Sequence, residues 1–97
     1  MLAIKHGVRL RGIDPVLVIG IIIVADVYTD RGATCTLTSV TDGAHMPNSL
    51  HNAGLAADFR LPDGELDGLG KEVRAGLGRD WDVLIEGDHM HIEYDPR

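Results

Sequence analysis

The spacing of apolar residues changes period several times along the chain, and each change marks an element. Residues 1–13 mix charges with alternating apolar positions and read as an irregular or strand-like arm. Asp14 followed by Pro15 is a helix-start signal, an N-cap and then proline in the first turn. The helix runs to about Asp30, where Arg31 and Gly32 stop it. Residues 16–25 are nearly all apolar and rich in β-branched side chains, so a strand is the rival reading; the length and the stop favour helix. Residues 33–40 alternate polar and apolar and predict a strand. Residues 41–48 hold Asp-Gly and Pro and read as a loop. A second strand follows at 55–60, then a turn at 61–64. Leu66, Leu69, Val73 and Leu77 are spaced to share one helical face, with Gly76 and Gly78 at its end. Residues 81–86 predict a third strand, Gly87 and Asp88 a tight turn, and residues 89–94 a fourth strand. The order of arm, helix, two strands, helix and hairpin describes an α+β domain with a small antiparallel sheet and flanking helices.

Length confines this to one domain, residues 1–97, because 97 residues leave no room for a second core. Charge then removes whole classes of partner. The net charge is −6, and the nine basic residues are scattered. Nucleic acid is not expected, since phosphate binding needs a positive footprint. The apolar run at 16–25 resembles a signal-peptide core, but Asp14 and Pro15 separate it from Arg9 and Arg11, and Asp26 follows where a small-residue cleavage site is needed. It is also too short to span a bilayer, which takes about 20 apolar residues. The expected protein has no membrane span, no clear signal peptide and a monomeric state. The single cysteine, Cys35, excludes an internal disulfide and reads as a small core residue. His6 reads as surface and Trp81 as packing.

Two segments carry chemistry: residues 49–58, reading SLHNAGLAAD, and residues 88–91, reading DHMH. In an extended strand, Leu55, Ala57 and Phe59 face one way, and Ala56, Asp58 and Arg60 face the other. Asp58 is then a carboxylate beside a small neighbour, Ala56, which leaves space. Gly54 lets the chain fold His51 back toward it. His89 and His91 share one strand face, with Met90, Ile92 and Tyr94 on the core side. His51, Asp58 and one of these histidines make three protein ligands with a fourth position open to water, the arrangement of a catalytic zinc site. Hydrolysis also needs a carboxylate to relay the proton, and Asp88 and Glu86 are near in sequence. Ser49 reads as a loop hydrogen-bonding residue that fixes His51. His45 lies in the preceding loop, exposed or in contact with substrate.

The first segment matches S-x-H-x-x-G-x-A-x-D at Ser49, His51, Gly54, Ala56 and Asp58. In this it resembles the zinc D-Ala-D-Ala carboxypeptidases and dipeptidases and the phage L-alanyl-D-glutamate endolysins, whose wider group includes lysostaphin-type peptidases and the Hedgehog signalling domain. Five fixed positions match by chance in one chain in ~10⁴–10⁵ of this length, so accident is a poor account of them. The resemblance spans residues 38–94. It implies a Hedgehog/D-Ala-D-Ala peptidase-like fold, Zn²⁺ on His51, Asp58 and His91, and a catalytic base at Asp88, three residues before His91. Glu86, three before His89, is the competing register. His89 would stand beside the metal and help stabilise the charged intermediate. Ser49 and His45 are the candidate substrate-binding residues. The family's substrate-carboxylate arginine has no counterpart after Thr38 and Ser39. Arg9, Arg11, Arg31 and Arg60 are the substitutes available. The activity implied is hydrolysis of a peptidoglycan stem-peptide amide bond by a phage or prophage product. Such a protein is made in the cytoplasm and acts on the bacterial cell wall. A catalytically silent zinc-containing module of the same fold is the alternative.

Overall fold

The computed structural model describes residues 1–42, 49–64 and 66–96. Its elements, in chain order, are β1 (Leu2–Ile4), α1 (Pro15–Asp30), β2 (Cys35–Ser39), β3 (Ala56–Arg60), α2 (Leu69–Leu77), β4 (Trp81–Glu86) and β5 (His89–Tyr94). The five strands form one sheet in the order β1-β2-β3-β5-β4.

The sheet is mixed, which corrects the antiparallel expectation. β1 pairs with β2 in parallel, Leu2 opposite Cys35 and Ile4 opposite Leu37. The other three pairings are antiparallel. A parallel pair needs a crossover, and α1 supplies it between β1 and β2. The domain is α+β, with both helices contributing to one core against the sheet.

α1 begins where its cap chemistry demands. The Asp14 side chain accepts a hydrogen bond from the Val16 amide at 2.9 Å, and Pro15 occupies the first turn. Arg31 caps the other end, and Gly32 leaves the helix at φ 73°. The buried residues Leu17, Ile21, Val24 and Tyr28 recur at helical spacing and meet Ala57, Phe59, Met90 and Ile92 of the sheet. Gly20 makes this approach possible, since a Cβ there would collide with the Trp81 indole. Trp81 also packs edge-on against Tyr94 at 5.2 Å, a packing role as expected. Cys35 is buried in the same core, where burial pushes its thiol up to about 12.

α2 starts later than the leucine spacing implies. Gly68, at φ 77°, holds the N-cap position, so Leu66 lies before the helix and is partly exposed. Leu69 and Val73 are the buried residues of that face. Alternation along β3 and β5 therefore puts Ala57, Phe59, Met90 and Ile92 against the helices. Asp58, Arg60, His89 and His91 are left for the opposite face.

Candidate metal centre

The site grows from the β3–β5 ladder, in which Asp58 sits directly opposite His91. Cross-strand neighbours on one face are close enough for their side chains to meet. The His91 Nδ1 lies 2.7 Å from Asp58 Oδ1. His51 comes from the loop before β3 and brings its Nε2 to 3.4 Å from Asp58 Oδ2. One ligand atom from each of His51, Asp58 and His91 lies within 4.8 Å of the others. The two imidazole rings are 5.1 Å apart.

The loop carrying His51 is built by its own backbone. The Gly54 amide donates to the His51 carbonyl at 3.0 Å, and the Leu55 amide to that of Leu50 at 2.9 Å. Gly54 takes φ 73°, and a Cβ there would run into the Gly12 carbonyl and the Asp14 amide. Its own carbonyl accepts from the Asp14 amide at 3.0 Å, which ties the loop to the start of α1. Ser49 Oγ accepts from the His51 amide at 3.2 Å, the local fixing role expected of it.

An irregularity in the β2–β3 ladder, between Leu37 and Ser39, shifts the end of β2. Bulges of this kind re-aim groups beside functional sites. Here the Val40 carbonyl meets His51 Nδ1 at 2.8 Å. A carbonyl only accepts, so Nδ1 of this 5% exposed residue carries a proton and donates it, and Nε2 is turned toward Asp58. His91 has a matching arrangement, with Nδ1 on Asp58 and Nε2 on Glu93 Oε1 at 2.8 Å. Each imidazole thus has one nitrogen held from outside and the other turned to the carboxylate, the outer bonding that metal-ligating histidines make. The group can hold a metal ion.

Electrostatics agree with that reading. Burial pushes the Asp58 carboxyl up, but the hydrogen bonds and charges of His51 and His91 outweigh it, and the group falls well below the usual carboxylate range. His91 is raised, first by its hydrogen bond to Asp58, against burial, and then by Glu93. Asp58 is therefore an anion in waiting, and the proton on His91 occupies the place of a cation.

Beside the cluster lies an open cleft of about 500 Å³ lined by Lys5, Thr38, Asp58, Arg60, Asp88 and His89. Asp88 reaches it from the β4–β5 turn, fully exposed, with its Oδ1 3.1 Å from His89 Nδ1. That bond with His89 holds the Asp88 carboxyl below its ordinary value. Of the two histidines on β5, His91 joins the cluster, and His89 stands on the cleft with Asp88. Glu86 pairs across the hairpin with His89. Among the candidate arginines, Arg60 lines the cleft, while Arg31 is committed to Glu72 at 2.7 Å and to the Asp67 carbonyl. His45 lies outside the described residues.

The residue pattern alone does not select Glu93 or the Val40 carbonyl. Glu93 was detectable, being two residues from His91 on the same strand face. The carbonyl leaves no trace in side-chain pattern. No family model, curated protein or solved structure matches the chain. Among the described residues, no helix is long and apolar enough to cross a membrane.

Proposed function

We propose that the chain is a zinc-dependent peptidase acting on an amide bond of peptidoglycan stem peptides, of the D-Ala-D-Ala or L-Ala-D-Glu type. One observation carries the reading: two imidazoles and one aspartate, set 40 positions apart between His51 and His91, converge within 4.8 Å, and the aspartate also lines an open cleft. Three nitrogen and oxygen donors, with no fourth protein ligand among the described residues of the group, are the donor set of a catalytic rather than a structural zinc. When bound, zinc supplies a Lewis acid for a carbonyl oxygen and brings the acidity of water to about pH 7.

The chain's own residues would do the rest. Asp88, on the rim and held as an anion by His89, accepts a proton transiently and passes it to the leaving amine. His89 donates a hydrogen bond to the charge that develops on the substrate oxygen. Lys5 and Arg60 place positive charge in a cleft of an otherwise acidic protein, where stem-peptide carboxylates need it.

The silent zinc module is favoured by one observation, the complete exposure of the Asp88 side chain at a hairpin turn, where aspartate is also a common turn former. Zinc-loaded protein incubated with purified peptidoglycan, with products identified by mass spectrometry, separates the two. The peptidase releases fragments, His51→Ala loses both zinc and activity, and Asp88→Ala keeps zinc but releases nothing. Zinc uptake without any fragment from the wild type establishes the silent module. A normal Asp88→Ala beside an inactive Glu86→Ala moves the base to the other register.

A further inference from the structure

Glu93 makes no contact that the proposed chemistry requires, yet its placement is specific. Strand alternation puts it on the face of His91, two residues on. Its Oε1 lies 2.8 Å from His91 Nε2, the nitrogen turned away from Asp58. Across the ladder it sits opposite Ala56, which is fully buried and contributes only a methyl group. A larger side chain at that position would compete for the space in which Glu93 folds back toward the imidazole.

We propose that Glu93 is the positioning residue of the metal centre, accepting the Nε2 proton of His91 so that the Nδ1 lone pair points at the ion. The proposal rests on the zinc reading above. An imidazole on a strand turns about two bonds, and either nitrogen can carry the proton. His51 is locked by a backbone carbonyl. His91 has Glu93 instead, and a carboxylate in that place both selects the tautomer and strengthens the ligand as a donor. Ala56 matters through the same contact, because it leaves the carboxylate room.

Glu93 has a rival commitment. Its carboxylate groups with those of Asp82 and Asp95, with ligand atoms within 4.8 Å of one another. The test therefore includes a variant of that trio that does not touch His91.

Zinc affinity is measured by competition with a chromophoric chelator for the wild type and for Glu93→Ala, Glu93→Gln and Asp95→Asn. Glu93→Ala should bind zinc about 10–100-fold more weakly. Glu93→Gln keeps an acceptor oxygen and should recover most of the loss. Asp95→Asn should stay within about threefold of the wild type, since a neighbouring exposed charge acts only through screened solvent. In zinc-loaded protein labelled with ¹⁵N, the His91 ring should show Nε2 protonated and Nδ1 bound to metal, a pattern that Glu93→Ala scrambles. Wild-type affinity in Glu93→Ala overturns the proposal. So does an equal loss in Asp95→Asn, or a calcium site that vanishes with Glu93 while zinc binding stays. A wild type that takes up no zinc overturns both this proposal and the zinc reading. Because affinity is read rather than turnover, a protein that binds zinc and cuts nothing sinks the peptidase alone, and the affinities still decide the role of Glu93.

Discussion

Asp58 and His91 share a short hydrogen bond in a partly buried setting, and each changes the other's proton affinity. The consequence for the metal-free protein has a definite sign. The Asp58 carboxyl is lowered from 3.8, so its contribution to stability is present above that pH and is lost as pH falls through the folded value. His91 is raised from 6.5, so its contribution is complete below that pH and is lost as pH rises through the folded value. Both are complete only between pH 3.8 and 6.5. Chelator-treated protein, melted across the pH range, should therefore have an advantage over Asp58→Asn that is largest in that window and shrinks on either side. An advantage that instead grows steadily from about pH 6 to about pH 9 would show that the pair is not formed without metal. At this scale the sequence is informative about which side chains converge, because His51, Asp58 and His91 announce themselves by type and spacing. It is silent on the Val40 carbonyl, since every residue has one and only the folded path of the chain beyond β2 selects it.

α1 shows which properties of an element survive in the sequence and which do not. Its ends are legible, because Asp14, Pro15 and Gly32 act locally through capping and φ preference. Its inward face is not, because residues 16–25 are apolar on all sides and carry no amphipathic stripe to orient them. The fold chooses Leu17, Ile21, Val24 and Tyr28 and leaves Ile19 59% exposed and Ile22 53% exposed. Substitution discriminates between these faces where hydropathy cannot. Leu17→Ala empties a fully buried position and should cost about 2–5 kcal/mol in denaturant unfolding. Ile19→Ala should stay within about 0.5 kcal/mol, since an exposed side chain loses little. Equal costs at the two positions would mean that the helix is rotated from this orientation. α2 teaches the converse. Its leucine spacing extends one turn too far, to Leu66, because periodicity alone does not register that Gly68 begins the helix from a left-handed conformation.

Across the molecule, the arm is the part that local reasoning reaches least. β1 is three residues long, and its parallel pairing to β2 closes a long loop through α1. Such pairing is set by the whole topology and not by the strand's own pattern. The His51, Asp58 and His91 cluster has the same long-range character, and that would give an ion bound there leverage over stability. His51 lies in the loop bonded to the start of α1, Asp58 on a central strand and His91 on its neighbour, so an ion at the cluster fastens loop, sheet and helix cap at one point. A domain of 97 residues has a small stability margin, and an ion that binds only the folded chain adds to it by mass action. Zinc at about a hundred times its dissociation constant should contribute about 2.7 kcal/mol. For a domain of this size that is a rise in Tm of roughly 10–20 °C. The shift should reverse with chelator and disappear in His51→Ala, whereas Asp88→Ala, whose side chain stands in solvent on the cleft rim, should keep it. An equal shift in wild type and His51→Ala would locate the ion elsewhere, with the acidic trio around Glu93 the first place to look.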